Sequence, residues 1–295
     1  VGMLAGTFVF VNAGTELAQV NSPSDVLSAG LLMSFVLLGL FPLFAKWFVD
    51  WVRAQRVYRG FKKPKSFDSD MVVIGAGSGG LVAALIAATV KAKVTLIEKN
   101  KMGGDCLNTG CVPSKALIRS ARHAYDNSRG ASLGFSDSVI DVDFKAIMGR
   151  VQRTIAEIEP HDSVERYQGL GVDVEIGEGE VVSPWHVRVN GKTISTRNIV
   201  IASGAEPFVP PIENLNSIDY LTSNNLWELQ ERPARVVVLG GGPIGTELTQ
   251  ALGRLGSQVT QVELLPNILP REDKEFSMMV QRQLEAEGVD VLTGH

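Results

Sequence analysis

The sequence predicts an α/β fold in which two parallel-sheet units follow a transmembrane helix. Three observations carry that prediction: an apolar stretch near the N-terminus, a strand–glycine loop–helix–strand pattern that occurs twice, and short strand-like runs punctuated by turn residues between the copies. The chain has 295 residues, enough for two or more cores. A net charge of −4 gives no reason to expect nucleic acid as a partner. The 30 glycines gather in motifs and do not form a low-complexity tract.

The apolar stretch runs from Val26 to Ala45 and carries no charge after Asp25. Its length is close to the roughly 20 residues a helix needs to cross a hydrocarbon core. Trp47, Phe48 and Trp51 follow at interfacial depth. The basic residues Lys46, Arg53, Arg56, Arg59, Lys62, Lys63 and Lys65 surround and follow them, opposed by Asp50 alone. Positive flanks stay in the cytoplasm, so everything after Lys46 is expected inside the cell, tethered to the cell membrane, which for a bacterium is the inner membrane. A secretory signal fits poorly, because the charge follows the apolar run. Residues 1–14 read as the end of an earlier membrane segment, and Pro64 to Asp70 as a short polar linker. The expected division is a membrane segment with basic linker over 1–66, then domains over 67–232 and 233–295.

Met71 to Ile74 is a short buried strand that leads into Gly75-Ala76-Gly77-Ser78-Gly79-Gly80 and an Ala-rich helix to about Lys91. Val94 to Ile97 makes the next strand, ended by Glu98, 23 residues after Gly75. This is the Rossmann-like arrangement. Gly75, Gly77 and Gly80 allow a tight turn, close approach of a pyrophosphate and packing of helix on strand, and Glu98 can accept from a ribose hydroxyl. The pattern recurs in Arg235 to Leu239, then Gly240-Gly241-Gly242-Pro243-Ile244-Gly245, a helix through Leu255, and Val259 to Val262. Glu263 ends that strand, again 23 residues after the first glycine. Gly240, Gly242 and Gly245 hold the same three places. Two such units mean two dinucleotides or one duplicated relic. Glu263 would accept a 2′-hydroxyl and repel a 2′-phosphate, which favours NAD(H) over NADP(H).

Between the units, Asp143 to about Leu170 reads as a helix interrupted near Pro160. Strand-like runs follow at Val172–Ile176, His186–Val189, Lys192–Ser195 and Asn198–Ile201. The two cysteines, Cys106 and Cys111, lie in Gly103-Gly104-Asp105-Cys106-Leu107-Asn108-Thr109-Gly110-Cys111-Val112-Pro113-Ser114-Lys115. A close pair in a cytosolic setting suggests metal binding or redox chemistry. Two thiolates need further ligands and no Cys/His cluster lies near them in sequence, so no metal site is expected. Pro113 suits the first turn of a helix running from Val112 towards Arg119. A thiolate at its N-terminus is stabilised by the helix dipole and unpaired N–H groups. A redox-active disulfide is the expected state of the pair.

With these pieces in place, the chain resembles the flavin-dependent pyridine nucleotide–disulfide oxidoreductases, the class of dihydrolipoamide dehydrogenase, glutathione reductase and mercuric reductase. The residues that carry the resemblance are Gly103 to Lys115, Ala202-Ser203-Gly204 and the two glycine motifs, and it extends over about residues 67–295. It implies an enzyme with FAD and NAD(H). Gly75, Gly77, Gly80, Glu98 and Lys99 would hold FAD with Gly104, Gly179, Ser203 and Gly204, and Gly240, Gly242, Gly245 and Glu263 would hold NAD(H). Hydride would pass from the nicotinamide to the flavin, and electrons on to the disulfide. Cys111 would be the thiolate beside the flavin and Cys106 the interchange thiol. Lys115 would lie near the flavin, paired with Glu247. The resemblance also implies a small-molecule or protein disulfide, a dithiol or Hg(II) as substrate.

In that family a C-terminal domain supplies a His–Glu base and a homodimer interface. None of His123, His161, His186 and His295 occupies the matching motif, so the chain reads as a truncated segment of a longer enzyme. Asp105 stands where the family has Thr, which puts a carboxylate near the FAD phosphates, and Pro243 stands where several relatives have a flavin-shielding Tyr. The N-terminal region resembles the tail of a DedA-like (SNARE-associated) membrane domain. The residues leave open a membrane-anchored flavoprotein without disulfide turnover, either an NADH or quinone oxidoreductase or a flavin sensor.

Overall fold

The computed structural model describes residues 2–18, 29–136 and 141–295. The chain separates into two compact units, Val1–Lys65 and Ser66–His295.

In the first unit, helix α1 (Gly2–Ala18) packs on helix α2 (Ala29–Val57). Small and polar residues make the contact. A side chain on Gly6 would press on the Phe41 ring at 3.4 Å, and Asn12 Nδ2 donates to the buried Ser34 Oγ at 3.0 Å. Almost every other face of α2 is apolar and exposed, including Met33, Val36, Leu40, Leu43 and Phe44. By length and composition Ala29–Arg53 suffices to cross a membrane. The first residues of the expected span, 26–28, lie outside the described residues.

The second unit begins with β1 (Ser69–Ile74), α3 (Ser78–Thr89) and β2 (Val94–Glu98). The cysteine stretch folds as α4 (Gly104–Asn108) and α5 (Cys111–Ser128), the latter running nine residues beyond Arg119. Next come α6 (Phe144–Ile158), a 3₁₀ turn at Glu159–Asp162 that holds Pro160, and α7 (Val164–Gly169). Asp143 and Ser163 cap the two helices through Ala146 N and Arg166 N. Strands β3 (Val172–Ile176), β4 (Glu180–Ser183), β5 (His186–Val189) and β6 (Lys192–Ile201) complete a six-stranded sheet of order β3-β2-β1-β6-β5-β4.

β3, β2, β1 and β6 are parallel, whereas β6, β5 and β4 are antiparallel. The two runs expected at Lys192–Ser195 and Asn198–Ile201 are one strand of ten residues. Its first half pairs with β5 and its second with β1. The polar residues at the join find partners far away in sequence. Asp68 accepts from Ser195 N (2.9 Å) and Ser195 Oγ (2.7 Å), Asp70 accepts from Arg197 Nε (3.1 Å), and Asn198 Nδ2 donates to Asp70 O (3.0 Å). Hydrogen bonds from Ser195 hold the Asp68 carboxyl below its ordinary range.

The chain then forms β7 (Arg235–Leu239), α8 (Pro243–Arg254), β8 (Gln258–Glu263), α9 (Lys274–Ala286) and β9 (Asp290–Thr293), with the strands parallel in the order β7-β8-β9. One core joins the two nucleotide folds. Ala116, Leu117 and Ala121 of α5 pack with Phe144, Met148 and Val151 of α6 and with Ala251, Leu252 and Leu255 at the end of α8.

A polar clamp closes the same contact. Arg254 binds Glu287 bidentately, with both bonds 2.7 Å, and its guanidinium lies 4.2 Å from the centre of the Tyr125 ring on α5. The pair is buried, at 11% and 6% side-chain exposure. Burial works against the ionised Glu287, but hydrogen bonds from Arg254, Gln283 and Gln250 and the Arg254 charge hold its carboxyl below the ordinary 4.5. A carboxyl depressed in the folded state adds stability above its unfolded value and loses it as pH falls through the folded one. Thermal midpoints are therefore expected to drop as pH is lowered below about 4.5, with a shallower drop in Glu287→Gln. Parallel curves for the two proteins would remove Glu287 as the source.

Candidate active site

The first glycine motif lies at the carboxyl ends of β1 and β6, where the sheet order changes direction and α/β sheets bind ligands. Gly75 has φ +101°, and a Cβ there would overlap the carbonyl oxygen of Ala202. A Cβ on Gly80 would overlap Gly75 O, so α3 can start this close to β1 only with glycine. Gly77, by contrast, faces almost open space, with just the Gly104 Cα at 3.8 Å from a built Cβ. α3 begins without a side-chain cap and without an acid in its first turn, so its leading N–H groups remain available to an anion.

Glu98 is buried at the end of β2 and does more than await a ribose. Its Oε2 accepts from Ala76 N at 2.6 Å and its Oε1 from Asn100 N at 2.7 Å, which ties the glycine loop to the neighbouring strand. The second motif repeats this geometry. Glu263 Oε2 accepts from Gly241 N at 2.6 Å and Oε1 from Leu265 N at 2.8 Å. A Cβ on Gly245 would overlap Gly240 O, while one on Gly242 would meet nothing. α8 starts at Pro243 and likewise has no side-chain cap. Each loop thus has a filled side and an open side.

Other residues from the sequence reading gather at the first loop. Gly104, the first residue of α4, takes φ +53°, and its built Cβ would stand 2.6 Å from Gly77 Cα. The two backbones touch. Ser203 and Gly204 follow β6, both exposed, and Asp105 Oδ2 lies 3.5 Å from a Cβ built on Gly204. Gly179 sits between β3 and β4, against Ile74 and Ile97 at the ends of β1 and β2. Lys99 is exposed just beyond Glu98. An uncapped helix N-terminus, an open second glycine and an acid at the end of the second strand make a cradle that fits FAD at the first motif, and the second motif offers the same three features to a nicotinamide dinucleotide. Asp105 brings a negative charge to the edge of the first cradle.

Cys106 lies on α4, half-buried, and Cys111 is the exposed first residue of α5. The two sulfurs are neighbours that share a hydrogen bond, the placement that a pair cycling between dithiol and disulfide requires. Burial, then a hydrogen bond with Cys111, pushes the Cys106 thiol above its ordinary value. Asn108 Nδ2 fixes the α4 turn through Met102 O (3.0 Å) and Gly104 O (2.9 Å). Trp227 Nε1 donates to Thr109 O at 2.8 Å from the connection between the two nucleotide folds. Neither residue was singled out from sequence. Asn108 lay inside the cysteine stretch, and Trp227 could have been noticed as a lone tryptophan in a polar connection.

One turn beyond Cys111, Lys115 Nζ meets Glu247 of α8 at 2.8 and 2.6 Å. Both side chains are about half exposed, at 60% and 43%, so the pair contributes little to stability and reports mainly on geometry. A cavity of about 220 Å³ lies behind it, lined by Ile118, Ala121, Gln250 and Arg254. Thiols, lysine and both glycine loops are thus connected through α4, α5 and α8. Among the described residues no group of three or more His, Cys, Asp and Glu could hold a metal ion.

The family model of the pyridine nucleotide-disulphide oxidoreductases matches residues 69–295. The chain belongs to that family. A mercuric reductase of Bacillus cereus is 34% identical over 229 residues, 78% of this chain and 36% of that protein. A dihydrolipoyl dehydrogenase of Acholeplasma laidlawii is 33% identical over 233 residues, 77% of this chain and 69% of that protein. A Cu(II) complex of the HOCl-induced flavoprotein disulfide reductase RclA of Escherichia coli superposes with a TM-score of 0.65 and 28% identity over 76% of this chain and 48% of that one. The chain therefore spans little more than a third of the mercuric reductase and about half of RclA. Its relatives are enzymes that use FAD and a nicotinamide cofactor, and the mixed α/β fold is the one the sequence predicted.

Proposed function

We propose that this chain is the electron-receiving half of an FAD-dependent reductase that draws on NADH, charges the Cys106–Cys111 pair and reduces a disulfide, or a soft metal ion such as Hg(II). The observation that carries the reading is the Lys115–Glu247 contact, which joins the helix of Cys111 to the second glycine motif. Residues 67–232 then form the FAD domain, and 233–295 belong to the NAD(H) domain. Bound FAD supplies two-electron exchange between the nicotinamide and a dithiol. Gly75, Gly77, Gly80, Glu98, Gly104, Ser203 and Gly204 would hold it, and Gly240, Gly242, Gly245 and Glu263 would hold NADH.

The protein's own sulfurs do the rest. Cys106 Sγ, as thiolate, attacks one sulfur of a substrate disulfide, forming a mixed disulfide as the substrate S–S bond breaks and one thiolate leaves. Cys111 Sγ then displaces the second substrate thiolate and closes the Cys106–Cys111 bond. Two electrons have moved to the substrate, and two protons complete its thiols. Because burial disfavours ionised Cys106, this exchange needs a base, which in the wider family comes from a C-terminal domain and a homodimer partner. The apolar hairpin of α1 and α2 supports a membrane tether with the reductase on the cytoplasmic side, in the manner of a DedA-like fusion.

The test is anaerobic titration of the full-length enzyme with NADH. Two equivalents per flavin, with two thiols exposed to a chromogenic reagent, are expected. One equivalent with no new thiol would leave a plain flavoenzyme.

Cofactor choice is tested beside Glu263. Because this carboxylate also ties the second glycine loop, Glu263→Arg is expected to weaken both nicotinamide cofactors. Leu264 is 77% exposed just past it. Leu264→Arg adds a partner for a 2′-phosphate and is expected to shift the NADH/NADPH ratio of kcat/KM about tenfold towards NADPH. An unchanged ratio would place the adenine ribose elsewhere.

A further inference from the structure

The apolar hairpin ends in a collar of one charge. α2 has 29 residues, and a helix of that length spans about 43 Å against a hydrocarbon core of about 30 Å. The apolar stretch ends at Ala45, and roughly the last three turns of α2 stand beyond it. Two exposed aromatic pairs mark this depth. The ring centres of Phe44 and Trp47 are 5.6 Å apart, and those of Phe48 and Trp51 are 6.0 Å apart. Lys46, Arg53, Arg59, Lys62, Lys63 and Lys65 are all exposed around and beyond them, and among the described residues none forms an ion pair. Asp50 is the sole acid between residues 46 and 65, although the whole chain is net acidic at −4. The charge is therefore segregated to the one segment next to the aromatic belt.

We propose that residues 46–65 bind the headgroups of anionic phospholipids. The inference rests on the membrane reading of α2 and adds the lipid class. Cations on long stems beside interfacial rings place their charge at headgroup depth while their methylene groups stay against acyl chains. The attraction is additive over the cations and screened by salt.

The experiment reconstitutes the full chain into bilayers of phosphatidylcholine with one-fifth phosphatidylglycerol, extracts it gently and measures the lipids that stay bound. Phosphatidylglycerol is expected to be enriched about threefold over the bilayer, and Lys62→Gln/Lys63→Gln/Lys65→Gln is expected to cut that enrichment about twofold. Retained lipid with the bilayer composition would overturn the proposal, leaving the charges as a topology signal. Equal displacement by millimolar inorganic phosphate would overturn it in favour of a free-anion site. A chain released by alkaline carbonate would fail earlier, at the membrane reading itself.

Discussion

Gly80→Ala is expected to empty the first nucleotide fold of flavin and to destabilise it by about 3–5 kcal/mol. The added methyl would occupy the space of Gly75 O, which is backbone and cannot swing aside, with Gly75 C at 2.9 Å and Val73 Cγ1 at 3.3 Å behind it. Relief requires α3 to move off β1, and that movement opens the loop that Glu98 holds through Ala76 N. The adjacent substitution is the control. A methyl on Gly79 would meet only Ala202 Cβ, at 4.0 Å, so Gly79→Ala is expected to keep flavin and to gain up to about 1 kcal/mol from helix propensity. Flavin content after purification and thermal unfolding of the full-length protein read both outcomes. If Gly80→Ala retains flavin and its midpoint, the close approach of α3 to Gly75 does not shape the cradle.

The second large effect is asymmetric between the thiols. Cys106→Ser and Cys111→Ser should each lower disulfide turnover about 10³-fold or more, while NADH still bleaches the flavin. They should fail at different points. Without Cys106 there is no sulfur to attack the substrate, and no adduct forms. Without Cys111, the Cys106 thiolate can still attack, and the mixed disulfide has no internal thiol to resolve it. Intact-mass measurement after incubation with a small disulfide should therefore show one substrate thiol added to Cys111→Ser and none to Cys106→Ser. The reverse pattern would exchange the two roles. Such an exchange would rest on Cys111 being the more exposed residue and the first of its helix.

How far the sequence could be read depended on the range of each interaction. The glycine loops and their acids were legible because the whole device is local, closed by bonds that span 22 residues, from Glu98 to Ala76 and from Glu263 to Gly241. Pro160 and Asp143 likewise act within a turn of themselves. Strand β6 was divided in two because Ser195, Thr196, Arg197 and Asn198 look like a polar break. The partners of Ser195, Arg197 and Asn198, which are Asp68 and Asp70, lie 127 and 128 residues away, and nothing local announces them. The thiol pair was legible in its spacing, whereas the burial that raises Cys106 is a property of the packed structure. The clamp of Tyr125 on Arg254 and Glu287 was invisible for the same reason: three ordinary residues gain meaning only where α5, α8 and α9 converge.

The two-sided strand β6 also fixes a timetable for biosynthesis. β1 pairs early with β2, but its other edge waits for residues 196–201, some 127 positions later, with Ser69 opposite Thr196 and Ile74 opposite Ile201. At about 5–20 residues per second, the ribosome takes roughly 6 to 25 seconds to deliver that partner. Throughout that interval Val72 and Val73, fully buried in the finished sheet, line a strand with one open edge. The nascent chain is therefore most vulnerable to wrong pairing after β2 has emerged and before β6 has.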